Sequence, residues 1–116
     1  MRILTIHADW LEVEPKQKAI ADAEETALDK QRFEECLVIF SAVEKNDENV
    51  WENTAARAAD EVQKVANEVK TKNIVLYPYV HLTSMPSSPS VAKKVLIEAA
   101  SLLTARGFAV ARAPFG

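Results

Sequence analysis

Residues 35–44 read ECLVIFSAVE, a run that is apolar on both faces of an extended chain. Such a strand has to be covered above and below, which places it in the middle of a sheet. What flanks it narrows the fold further. In residues 49–70, Trp51, Ala55, Ala58, Val62, Val65 and Val69 recur at steps of four and three, so one helical stripe carries all six. Glu52, Arg57, Asp60, Glu61, Lys64 and Glu68 fill the remaining faces. Residues 73–81 (NIVLYPYVH) form a second buried strand, followed by the polar, proline-rich loop 82–89. The next helix has Ser88 as its cap and Pro89 in the first helical position. Its apolar stripe is Ala92, Val95, Leu96, Ala99, Leu102 and Leu103, and Gly107 stands where a left-handed terminator belongs. Residues 108–113 (FAVARA) make a last strand.

Strand–helix–strand–helix–strand predicts an α/β fold whose crossovers are right-handed and can set those strands parallel. Ahead of this unit, residues 2–7 (RILTIH) form a short β run. In residues 11–16, Leu11, Val13 and Pro15 alternate with Glu12, Glu14 and Lys16, which predicts a half-exposed strand placed at an edge by its proline. Residues 18–30 are alanine-rich and charged and fit either a short helix or a loop. Residues 45–48 are a turn, with Asn46 or Asp47 available to cap the helix that follows. The expected whole is one domain over residues 1–116, with a mixed β-sheet and two main helices packed on one face.

Composition removes several function classes. The net charge is −3, whereas proteins that grip long nucleic acids are basic because phosphate neutralisation supplies their affinity. A short single-stranded end delivered by a neighbouring domain is still within reach. The chain has 2 glycines, Gly107 and Gly116, too few for a phosphate-cradling loop or a dinucleotide fingerprint. No paired cysteine or histidine spacing indicates a metal, and no serine sits in a nucleophile elbow. The single cysteine, Cys36, is expected to be a small buried hydrophobe, and the lack of cysteine pairs points to the cytoplasm. No apolar run reaches the ~20 residues that span a bilayer, so no membrane association is expected.

Two histidines remain. His81 falls where the second buried strand ends, the rim at which open α/β sheets bind ligands. It either positions a substrate or is a hydrogen-bonded strand terminus. His7 ends the first strand, and if the two strands are parallel it shares a rim with His81. Trp10 and Trp51 are candidate base-stacking platforms, with core packing the better reading for Trp51. Glu44-Lys45 is either a solvated turn or the wall of a pocket.

The opening MRILTIHADWLEVEPKQKA, the strand CLVIFSAVEKND, the stretch LYPYVHLTS and the ending ARAPFG occur in this order over nearly the whole chain. Together they resemble the N-terminal editing domain of archaeal threonyl-tRNA synthetases. The resemblance implies a fold similar to D-aminoacyl-tRNA deacylases, usually as a homodimer. It also implies hydrolysis of the ester joining L-serine to the 3′ end of threonine tRNA, with water attack assisted by the tRNA's own ribose hydroxyl. By motif position, His81 is the candidate catalytic residue of a Tyr-x-His-Leu-Ser-like motif in which Thr83 replaces serine. Val43, Glu44, Tyr79, Val80, His81, Phe115 and Gly116 are the implied substrate-binding residues. No cofactor is expected in this domain; ATP and zinc would belong to the rest of the synthetase chain, an expected partner. The family continues past Pro-Phe-Gly with a Trp-Tyr-Lys-like segment that helps position the ester. The alternatives are a D-aminoacyl-tRNA deacylase and a non-catalytic dimerisation or tRNA-docking module.

Overall fold

In the computed structural model, residues 1–13 and 31–114 are described. Pro15 and residues 18–30 of the sequence reading lie outside them. In chain order the elements are β1 (Arg2–Ala8), β2 (Leu11–Val13), β3 (Gln31–Phe33), β4 (Cys36–Ala42), α1 (Trp51–Val69), β5 (Asn73–Pro78), α2 (Pro89–Ala105) and β6 (Ala109–Arg112). Short 3-10 turns occupy Lys45–Val50 and Val80–Leu82.

The main sheet is mixed and has the order β1-β4-β5-β6. β1 runs antiparallel to β4, while β4, β5 and β6 are mutually parallel. β4 is interior, as its two apolar faces require. β2 and β3 pair antiparallel in a second, two-stranded sheet, so β2 is partnered by a strand at Gln31–Phe33 that the sequence reading did not assign.

Strand alternation divides the interior in two. Leu37, Ile39, Ile74 and Leu76 join Ala55, Val62, Val95 and Leu103 of the two helices in the larger core. Both helices therefore cover one face. On the other face Cys36, Val38 and Val75 pack with Leu11 and Phe33 of the small sheet and with Phe40 and Tyr77. Cys36 is buried in this second cluster, and burial pushes its thiol pKa up.

The buried line of α1 is Thr54, Ala55, Ala59, Val62 and Ala66. Ala58, Val65 and Val69 of the predicted stripe lie half-buried at its margin. The line is rotated because α1 packs against α2 as well as the sheet, and alanines allow that approach. Neither Asn46 nor Asp47 caps α1. A 3-10 turn intervenes, and the cap position falls on Val50, which offers no side-chain bond. Lys70 ends α1 in the left-handed region at φ 59°. In α2, Ser88 is the cap as expected: its hydroxyl accepts from the Val91 N–H at 3.3 Å. Gly107 takes the left-handed terminator position at φ 95°. Arg106 then ties the end of α2 to α1 through Gln63 and Asp60, both at 3.0 Å.

Candidate functional site

Parallel strands open their C-terminal ends on one rim. The β4–β5 pairing runs to Ser41 opposite Pro78, and the Tyr79 N–H extends it by donating to the Ser41 carbonyl at 2.8 Å. β5 stops there, earlier than the sequence reading placed it. His81 is therefore carried by the 3-10 turn Val80–Leu82 rather than by the strand. The physical cause is neighbour loss: β4 ends at Ala42, so residues beyond Tyr79 have no ladder to join.

The rim gathers most of the sequence-predicted residues. Val43 is buried at the exit of β4, Glu44 is half-buried beside it, and Tyr79, Val80 and His81 are exposed. Tyr79 is 41% and Val80 50% accessible. Aromatic rings lead up to the turn. The Phe40 centroid lies 5.1 Å from Tyr77 and 5.7 Å from Tyr79, and Tyr79 meets the His81 ring edge-on at 5.3 Å. Among the described residues the His81 ring takes part in no hydrogen bond or ion pair, which leaves its nitrogens open to a ligand. Phe115 and Gly116 lie outside the described residues.

His7 does not belong to this rim. β1 is antiparallel to β4, with His7 opposite Leu37 and Arg2 opposite Ala42. The strand direction that would have brought the two histidines together is reversed, and His7 stands at the far end of the sheet. There its Nε2 lies 2.6 Å from Glu35 Oε2. Hydrogen bonds from Thr71 and from His7 hold the Glu35 carboxyl below its ordinary value. An open cavity of about 360 Å³ adjoins this end, lined in part by Glu35, Cys36, Asn73 and Val110. Another, of about 320 Å³, lies between Ile3, Asp47, Thr54 and Arg57.

The polar framework behind the rim was only partly legible in the sequence. Glu44 accepts the Thr83 hydroxyl at 2.7 Å and the Met1 amino group at 3.1 Å, with Arg2 Nε at 3.4 Å. The Thr83 hydroxyl, then the Met1 amino group, hold its carboxyl below the usual range against a small opposing effect of burial. Asp47 accepts the Glu44 N–H at 2.8 Å and the Thr54 hydroxyl at 3.2 Å, with the Met1 amino group at 2.6 Å. Burial pushes Asp47 up, but the bonds from the Met1 amino group and the Glu44 N–H outweigh it and its pKa is lowered. Glu48 accepts the Ser88 N–H at 2.8 Å. With these partners and a lowered pKa, Glu44 is suited to holding other groups in place rather than to taking a proton. The sequence signal that could have flagged Thr83 was its hydroxyl two residues after His81, in a loop that must fold back on the β4 exit.

The two tryptophans separate. Trp51 is half-buried, with Lys94 Nζ 5.9 Å from its ring centre, so core packing explains it. Trp10 is 53% accessible and has the Arg32 guanidinium 4.8 Å over its ring, away from the His81 turn on the β2 side of the molecule. No helix among the described residues is long and apolar enough to cross a membrane.

The whole chain, residues 1–116, matches the model of a family described as the archaea-specific editing domain of threonyl-tRNA synthetase. It is 53% identical over 116 residues to the threonine--tRNA ligase of Methanocaldococcus jannaschii, covering all of this chain and 18% of that protein. The threonine--tRNA ligase of Methanobrevibacter smithii is 48% identical over 117 residues, and that of Pyrococcus horikoshii 42% over 118, each with the full chain matched against 19% of its length. The chain thus spans about a fifth of the relatives it matches.

Proposed function

The chain belongs to the archaea-specific editing-domain family of threonyl-tRNA synthetase, and from that premise we propose that it hydrolyses L-serine wrongly esterified to threonine tRNA. Serine differs from threonine by one methyl group. A missing methylene-sized contact separates two substrates by only ~1–3 kcal/mol at a synthetic site, so a second, hydrolytic site is needed for accuracy. Water adds at the seryl carbonyl, the bond to the ribose oxygen breaks, and free serine and the tRNA hydroxyl result.

The observation that carries this reading is the exposed turn Tyr79-Val80-His81 at the joint end of β4 and β5. The His81 ring has nitrogens free to bond an aminoacyl group, and the neighbouring Tyr79 and Phe40 rings offer a surface for the terminal base. In this reading His81 contacts the substrate, Val43 supplies a rigid wall, and Val80 offers backbone groups. Phe115 and Gly116, substrate-binding candidates by family resemblance, lie outside the described residues. The partners are the 3′ end of threonine tRNA, the remainder of a synthetase chain and a second copy of this domain. For the last, β1 is an outer strand whose Leu4 and Ile6 are about half exposed.

The test is timed hydrolysis of seryl-tRNA(Thr), threonyl-tRNA(Thr) and D-tyrosyl-tRNA by this chain and by a version extended past Gly116. Loss of the seryl ester with the threonyl ester spared is expected. Hydrolysis of the D-tyrosyl ester alone makes the chain a D-aminoacyl-tRNA deacylase. Binding of seryl-tRNA(Thr) without acceleration by either version makes it a docking module.

A further inference from the structure

His81 does not fix its own position. Among the described residues its ring meets the edge of Tyr79 and makes no hydrogen bond or ion pair, and the turn that carries it is closed by two long backbone bonds. Leu82 N–H reaches the Tyr79 carbonyl at 3.3 Å and Thr83 N–H reaches the Val80 carbonyl at 3.2 Å. The shortest bond in this segment is the one the Thr83 hydroxyl makes to Glu44 Oε2 at 2.7 Å, and it ends on an ionised group. The same hydroxyl oxygen accepts the Met85 N–H at 3.1 Å. A hydroxyl donates once and accepts through two lone pairs, so Thr83 joins the β4 exit to the backbone of the loop after His81.

The rest of the loop has independent anchors. Tyr79 N–H bonds Ser41 before the turn; Lys45 N–H bonds the Met85 carbonyl, and Ser87 N–H the Val43 carbonyl, both at 2.9 Å, after it. Removing the Thr83 hydroxyl therefore leaves residues 80–84 closed by the two long backbone bonds and takes one bond from the Met85 N–H, while the anchors on either side remain. We infer that Thr83, acting through Glu44, is a positioning residue that sets where the His81 ring stands on the rim. The inference rests on the editing reading for its kinetic consequence, but not for its structural one.

The experiment uses Thr83→Val, which keeps the shape and loses the hydroxyl, and Thr83→Ser, which keeps the hydroxyl. The chain has 2 histidines, so ring proton signals in NMR resolve His81 from His7, with His7→Gln for assignment. Thr83→Val is expected to move the His81 signals and abolish its ring contact with Tyr79 while His7 stays unchanged. Seryl-tRNA(Thr) hydrolysis should then lose about tenfold or more in kcat with little change in KM, as misplacement of a catalytic group does. Thr83→Ser should restore both. If Thr83→Val does not fold, Glu44→Gln, which turns a charge-assisted bond into a neutral one, is expected to move the His81 signals in part. Unmoved His81 signals in a folded Thr83→Val, or in Glu44→Gln where the first fails, overturn the inference. A wild-type chain inert toward seryl-tRNA(Thr) overturns the editing reading alone, and the ring signals still decide the role of Thr83.

Discussion

Leu103→Ala measures how much of this fold depends on the sandwich of α2 against the sheet. Leu103 is 0% accessible and packs in the core formed by both helices with Leu37, Ile39, Ile74 and Leu76. The substitution removes three carbons, about 2.4 kcal/mol of transfer energy at ~0.8 per methylene. It also leaves a cavity that a closely packed sheet and two helices can fill only in part, and such changes range over ~2–5 kcal/mol. The expected loss is about 3 kcal/mol, out of a total of roughly 6–17 kcal/mol for a chain of this length. In urea at 25 °C, followed by far-ultraviolet circular dichroism, the midpoint should fall by about 2 M at a slope near 1.5 kcal/mol/M, with the slope unchanged. Ile97→Ala is the control. It removes a similar side chain from the same helix at a position 43% accessible, and should cost less than about 1 kcal/mol. Equal losses at the two positions, or a loss below 1 kcal/mol at Leu103, would refute the assignment of α2's buried face.

Lys70 holds a left-handed conformation at φ 59°, which costs a side-chain-bearing residue ~1–2 kcal/mol. Lys70→Gly relieves this against ~0.4–1 kcal/mol of added unfolded-state entropy, so a gain of about 0.5–1 kcal/mol is expected by the same urea assay, and a loss would contradict the cap geometry. Glu44 and Asp47 both titrate below their ordinary values of 4.5 and 3.8. Depressed carboxyl groups stabilise the fold fully above those values, and the contribution is lost as pH falls through the folded-state pKa. The urea midpoint should therefore hold near neutrality and drop in the acid range, with a smaller drop in Asp47→Asn; a midpoint indifferent to acid would mean the framework behind the rim does not form.

Much of the architecture was legible because the signals behind it are local. A run apolar on both faces announces an interior strand wherever it pairs. Ser88-Pro89 at one end of α2 and Gly107 at the other mark their helix by backbone geometry alone. The helical stripes were found to within one residue, because a 3.6-residue period survives any arrangement of neighbours. Likeness to a family singled out His81 as a candidate, but placed it at a strand end where the structure has a 3-10 turn.

Pairing partners and strand directions were another matter. Nothing within Arg2–Ala8 states that it runs against β4, yet that direction separates His7 from His81 by the length of the sheet. Gln31–Phe33 is too short and polar to be read as a strand until Leu11–Val13 lies beside it. Glu44 and Thr83 are 39 residues apart, and a hydrogen bond between them has no periodicity to betray it. Side-chain period and capping are written in the order of residues along the chain. Contacts across the sheet depend on which segments burial brings together, and only the folded molecule settles that.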